Sequence, residues 1–150
     1  MSNFYAPDLT QRAPRSMRVQ LGGYAILPRM LDKCRATIVQ KNGEFHYNCP
    51  LDQHFINFAG IDPEAFKAEV AKGRTDGEML EWIDKNSKNK RSPWEIAQWT
   101  EYHMHRGPDS DAETLAYFAE AVGKFTKTRE DIRTWPALLD LDDYVTFGGR

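Results

Sequence analysis

The chain has 150 residues, 41% hydrophobic, 28% charged and 12% aromatic. That composition is enough to bury a core without disulfides or a structural metal, and it excludes an intrinsically disordered chain. The net charge of −2 is neutral on the question of polyanionic partners, but its distribution is uneven. Residues 1–41 hold seven Lys/Arg against two Asp/Glu, and residues 42–150 hold thirteen against twenty. A basic N-terminal part therefore faces an acidic body.

Residues 1–23 are expected to form an extended basic arm, because Pro7, Pro14 and Gly22 interrupt them and no apolar period runs through them. Residues 24–150 read as a single helical domain. Pro28 suits the first turn of a helix, and Leu27, Leu31, Cys34 and Ile38 follow at spacings of four, three and four, an amphipathic stripe. Asn42-Gly43 either ends that helix or turns a short hairpin between TIVQ and EFHY. The segment LDQHFINFAG is helical and stops at Gly60. Asp62-Pro63 opens the next helix, and Thr75-Asp76-Gly77-Glu78 has capping-box spacing. After the polar loop 85–91, Ser92-Pro93-Trp94-Glu95 is a second box, and Ser110-Asp111-Ala112-Glu113 a third, ahead of Leu115, Phe118, Val122 and Phe125. A last helix is expected from about Thr128 and breaks at Pro136, leaving 140–150 as a tail with at most a short extended piece. The pattern is all-α: about seven short helices in a bundle.

Chemistry-bearing residues concentrate in two places. In HYNCPLDQH, His46, Cys49 and His54 offer three zinc-type ligands, with Asp52 or Cys34 as a possible fourth. Against this, the spacing matches no familiar structural zinc pattern, and Cys49 also suits the role of a small buried hydrophobe beside a helix capped by Asp52. His103 and His105 are two apart on a helix and so point about 200° apart, which prevents them from sharing an ion. His103 is expected to be half-buried beside Ile96 and Trp99, and His105 to be wet beside Gln98 and Glu101. Cys34, on the apolar stripe, is expected to be inert. No GxSxG, GxxxxGK[ST] or HExxH motif is present.

The second place is Gly22-Gly23, just before a helix start, with Arg15 and Arg18 ahead of it and Arg29 in the helix's first turn. Glycines there let backbone N–H groups converge on an anion, and guanidinium forks suit phosphate or carboxylate. Alternatively LGGY is only a tight turn, and the arginines pair internally with the acidic body, Asp140, Asp142 and Asp143 included. The acidic pairs near the C-terminus could otherwise hold a cation or simply be solvated. The arm itself is expected to dock on the bundle, burying Val19 and Leu21, with Arg15 or Arg18 bridged to a carboxylate.

The stretches APRSMRVQLGGYAILPRMLDKCRA, GEFHYNCPLDQHF, GID, RSPWEI and LLDLDDYVTFGG, taken together and in this order, resemble a family of small bacterial proteins known as domain-of-unknown-function family 5069. The likeness runs from about Asp8 to Arg150. The family pattern has proline where this chain has Met17. The resemblance implies a bacterial protein and brings no activity, cofactor or catalytic residue.

The leading expectation is a helical domain that binds an anionic small molecule or a partner protein through Arg15, Arg18, Gly22, Gly23 and Arg29. The alternative is a metal-assisted hydrolase or transferase built on His46, Cys49 and His54, and whether the protein is an enzyme stays open. No cofactor is expected unless zinc binds that stretch. The acidic body repels phosphates, so nucleic acid is not an expected partner. No membrane association is expected either, since no apolar run nears the roughly 20 residues a spanning helix needs. Two unpaired cysteines and the lack of an apolar leader in MSNFYAPDLT point to the cytoplasm.

Overall fold

The computed structural model describes residues 4–108 and 111–149. Among the described residues seven helices follow in order: α1 (Leu27–Ile38), α2 (Pro50–Ala59), α3 (Pro63–Val70), α4 (Asp76–Asn86), α5 (Pro93–His105), α6 (Ala112–Gly123) and α7 (Trp135–Thr146). The fold is all-α, with short helices.

Local chemistry sets most of the helix starts. Asp62 accepts a hydrogen bond from the Ala65 N–H at 2.9 Å and caps α3. Two of the three expected capping boxes form, at α4 and α5, where Thr75 pairs with Glu78 and Ser92 with Glu95. Gly60, at φ 71, ends α2 in the left-handed conformation. Cys49 rather than Asp52 occupies the cap position of α2. Asp52, one turn in, accepts from the Asn48 N–H at 2.9 Å. At α6 the cap is Asp111, which accepts from the Thr114 N–H at 2.8 Å; the expected cap, Ser110, lies outside the described residues.

The expected helix from Thr128 does not form. Residues 124–134 are irregular, and α7 begins only after Thr134, whose hydroxyl accepts from the Ala137 N–H. Pro136 lies in the first turn of α7, where its missing N–H has no helical partner to lose, so it starts the helix instead of breaking it. The supposed tail is therefore mostly helix, which places Asp140 and Asp143 on a rigid element.

No hairpin forms over 37–48. Helix α1 ends at Ile38, Gln40 takes a left-handed φ of 59, and the Leu9 N–H bonds the Lys41 carbonyl at 2.8 Å. Gly43 lies so close to the arm that a Cβ there would meet the Leu9 carbonyl oxygen at 2.8 Å. The chain turns back tightly at LGGY instead, where Leu21 and Tyr24 exchange two backbone hydrogen bonds of 3.0 Å each around Gly22-Gly23.

Helix α1 is the hub. Ten of its twelve residues are buried, so its polar side is covered as well as its apolar stripe. Met17, Tyr24–Leu27, Met30, Leu31 and Cys34 pack with Phe55, Phe66, Val70, Met79 and Ile83 from α2, α3 and α4 in the main core. A smaller core joins Phe118 of α6 to Ile132, Leu138 and Leu141, while Leu115 of the expected stripe is exposed. The arm docks on the domain through Leu9 and Met17, both buried. Val19, expected inside, is exposed, and Leu21 is only half-buried, because the turn at Gly22-Gly23 swings this part of the arm outward.

Candidate functional site

The polar face of α1 carries Arg29, Asp32, Lys33 and Arg35, each at most 6% exposed. Buried charges need partners, and each of these finds one on a different element. Arg29 forks onto Asp143 of α7 at 2.7 and 3.2 Å. Asp32 takes Arg15 of the arm, Lys33 meets Asp52 of α2 at 2.8 Å, and Arg35 reaches Asp76 of α4 at 2.8 Å. Four ion pairs thus tie the arm and three helices to the hub.

Arg15 is the densest node. Its backbone N–H and Nε both bond Asp32 Oδ2, at 2.9 and 3.1 Å, and Nη2 bonds Asp32 Oδ1 at 3.0 Å. Its Nη1 reaches Asp76 Oδ2 at 2.8 Å, and the other oxygen of Asp76 takes Arg35. Burial disfavours charge on Asp76, but the hydrogen bonds from Arg15 and Arg35 outweigh it and hold the carboxyl below its ordinary range. Burial likewise opposes charge on Arg15, and its bonds to Asp76 and Asp32 raise it above its usual value.

A cleft of about 460 Å³ opens over this node. Four guanidiniums line it, from Arg12, Arg15, Arg35 and Arg74, against two carboxylates, Asp32 and Asp76. Phe4 and Tyr5 of the arm give it an aromatic wall, and Thr75 brings in the N-terminus of α4. Arg12 is exposed and bonds the Tyr5 hydroxyl at 2.7 Å. Arg74 faces Glu69 at 3.0 Å. Arg74 also meets Glu78 at 3.4 Å, so two glutamates outside the lining answer its charge, and the positive surplus of the lining rests on Arg12 at the outer rim.

The residues singled out in sequence do not form one site. Arg15 lines this cleft. Arg18 pairs with Asp140 at 2.8 Å, beside Ser16, whose hydroxyl bonds the same carboxylate at 2.7 Å. Arg29 is buried against Asp143 and the Phe45 ring, 5.5 Å from its centre. Gly22-Gly23 lies elsewhere, against Leu80 of α4 and Ile96 of α5. The backbone next to that turn is already satisfied, because the Thr100 hydroxyl accepts from the Ala25 N–H at 3.1 Å and donates to the Gly23 carbonyl at 2.6 Å.

The zinc arrangement does not assemble. His46 is exposed in the loop before α2. Cys49 and His54 are five residues apart at α2, which turns them about 140° from one another. Cys49 Sγ instead meets Lys33 Nζ at 3.1 Å, and His54 lies against His103 with ring centres 4.8 Å apart and planes tilted by 46°. Among the described residues, no three His, Cys, Asp or Glu side chains gather as a metal ion requires. His103 is buried at 4% exposure, deeper than expected, and its Nδ1 finds no partner among the described residues. Burial, with His54 and Arg106 nearby, pushes its pKa down to about 4. His105 bonds Glu101 at 2.6 Å on the wet face. Cys34 is fully buried, and its thiol is pushed up to about 12 by that burial.

Sequence reasoning missed Asp32, Arg35 and Asp76 as members of the arginine node. The available signal was the four charged residues, Arg29, Asp32, Lys33 and Arg35, set within the apolar stripe of α1. Fold and site together define a small helical domain with an arginine-lined cleft walled on one side by its own N-terminal arm. The chain belongs to the family described as a domain of unknown function (DUF5069), whose family model matches residues 11–145. No curated protein matches it.

Proposed function

We propose that this chain is a binding protein that takes a small anionic molecule, bearing carboxylate or phosphate groups, in the cleft between the arm and helices α1 and α4. The observation that carries this reading is the set of four guanidiniums on one cleft with only two carboxylates among its lining residues. Planar guanidinium forks match the oxygens of such anions. Arg15 and Arg35, fixed by Asp32 and Asp76, form the floor, and the exposed Arg12 and partly exposed Arg74 supply the adaptable donors. Of the residues first assigned to an anion site, Arg15 alone belongs to this reading. A metal-assisted hydrolase using His46, Cys49 and His54 draws no support from where these residues lie. The proposal includes a bacterial, cytoplasmic setting, supported by the free thiols of Cys34 and Cys49. No described helix is long and apolar enough to cross a membrane.

Calorimetric titration with inorganic phosphate, citrate and a nucleoside monophosphate tests the reading. At least one is expected to bind and raise the melting temperature. Arg12→Ala and Arg74→Ala, both at exposed positions, are expected to weaken that binding about tenfold or more, the loss of one charge-assisted hydrogen bond. Absence of binding by all three probes, or binding unchanged in both variants, overturns it.

A further inference from the structure

The pair Lys33–Asp52 is buried to 3% and 0% exposure in its side chains, and Cys49 Sγ lies 3.1 Å from the same ammonium nitrogen. Two chemically distinct groups at the start of α2, a carboxylate and a thiol, therefore converge on Lys33 Nζ of α1. Cys49, unlike Cys34, is only half-buried, so a molecule as small as hydrogen peroxide can reach it. Packing alone does not call for this arrangement, since an apolar pair of similar volume stabilises a core at least as well as a buried ion pair.

We propose that Cys49 and Lys33 form a peroxide-driven, reversible covalent cross-link, a sulfenamide, with Asp52 as the proton acceptor. In the first step the Cys49 sulfur attacks hydrogen peroxide and its thiol proton passes to the departing oxygen. The O–O bond breaks, one oxygen joins Sγ as a sulfenic acid, and the other leaves as water; sulfur loses two electrons and peroxide gains them. In the second step Lys33 Nζ, 2.8 Å from Asp52 Oδ1 but not aligned for a hydrogen bond to it, turns toward that oxygen and passes it one proton. The freed amine attacks Sγ, the S–N bond forms, the S–O bond breaks, and the hydroxyl leaves as water with a proton from nitrogen. Asp52 keeps its proton, because its former counter-charge is gone. Burial, the strongest influence on this carboxyl, already raises its pKa despite Lys33, which favours that transfer. The product fastens α1 to the cap residue that precedes α2, and a thiol reductant reverses it by attacking sulfur.

The test is intact-mass and peptide mapping of the full-length protein after stoichiometric hydrogen peroxide, with a Cys34→Ala variant alongside. The expected result is a loss of two hydrogens that persists in Cys34→Ala, together with a Lys33–Cys49 linked peptide, resistance of Lys33 to trypsin, and restoration by dithiothreitol. Lys33→Met paired with Asp52→Leu, which leaves no lone buried charge, is expected to lose the link and carry Cys49 on to the sulfinic acid. Two outcomes overturn the proposal. One is a loss of two hydrogens that disappears in Cys34→Ala, which identifies a Cys34–Cys49 disulfide. The other is oxidation of Cys49 in the unsubstituted protein with Lys33 still cleavable.

Discussion

Replacing Arg15 by methionine isolates what the arginine node contributes to stability. The substitution keeps an unbranched chain for packing and removes the guanidinium. Asp32, whose side chain is 4% exposed, then keeps only the backbone N–H of residue 15 as a bond from the arm, while Asp76 retains Arg35. Breaking a buried ion pair costs roughly 3–5 kcal/mol. Arg15 is itself 32% exposed beside an open cleft, so water recovers part of the loss, and about 2–3 kcal/mol is the expected effect. For a chain of this length that lowers the melting temperature by about 4–12 °C. Arg18→Met removes a pair in which both side chains are well exposed, at 40% and 38%. Its expected cost is about 0–1 kcal/mol, or less than about 4 °C. Calorimetric or circular-dichroism melting of both variants beside the parent at pH 7 reads the contrast. Equal losses for the two, or an unchanged melt for Arg15→Met, would refute the view that burial of the acidic partner decides the magnitude. Adding Asp32→Leu to Arg15→Met is expected to regain part of the loss, because no unpaired carboxylate then remains inside.

Lys33→Met alone leaves Asp52 buried without its counter-ion and is expected to cost about 3–5 kcal/mol in chemical denaturation, while the double change with Asp52→Leu returns close to the parent. Thr100→Val removes the hydroxyl that serves Ala25 and Gly23 and is expected to cost about 1–3 kcal/mol, measured the same way. His103 is held neutral in the fold, with its pKa near 4 against an ordinary 6.5. The unfolded chain therefore binds the extra proton between these values. Stability is complete above about pH 6.5 and falls as pH drops toward 4, by up to about 3 kcal/mol. Denaturation midpoints at pH 7 and pH 4.5 should differ less in His103→Phe than in the parent, and identical slopes would remove His103 as the cause. Deleting residues 4–20 removes Leu9, Met17 and Arg15 together and is expected to lower the melting temperature by more than Arg15→Met does alone.

Much of the fold was legible because helix boundaries here are short-range chemistry. Asp62-Pro63, Thr75 with Glu78, Ser92 with Glu95 and Gly60 each act within a few residues, and each sets a helix end where the chain reads it. Pro136 reads in sequence as the breaker of a helix begun near Thr128, whereas Thr134 caps α7 and places that proline in the helix's first turn. The uneven charge along the chain already implied that the basic arm would meet acidic partners, and Arg18–Asp140 is such a pair. The choice of partner was beyond any local rule. Arg15 is 17 residues from Asp32 and 61 from Asp76 in sequence, and a carboxylate on α1 is chosen over others only because packing buries both faces of that helix. In the same way Cys49 is drawn to Lys33 and away from His46 and His54, since the turn of α2 separates neighbours in sequence while the docking of α1 brings a distant amine to the sulfur. Local sequence determined where most of the helices begin and which residues carry charge; which charges meet, and hence where a ligand could bind, was decided by burial around α1, where a charge left without a partner would cost more than the fold can spare.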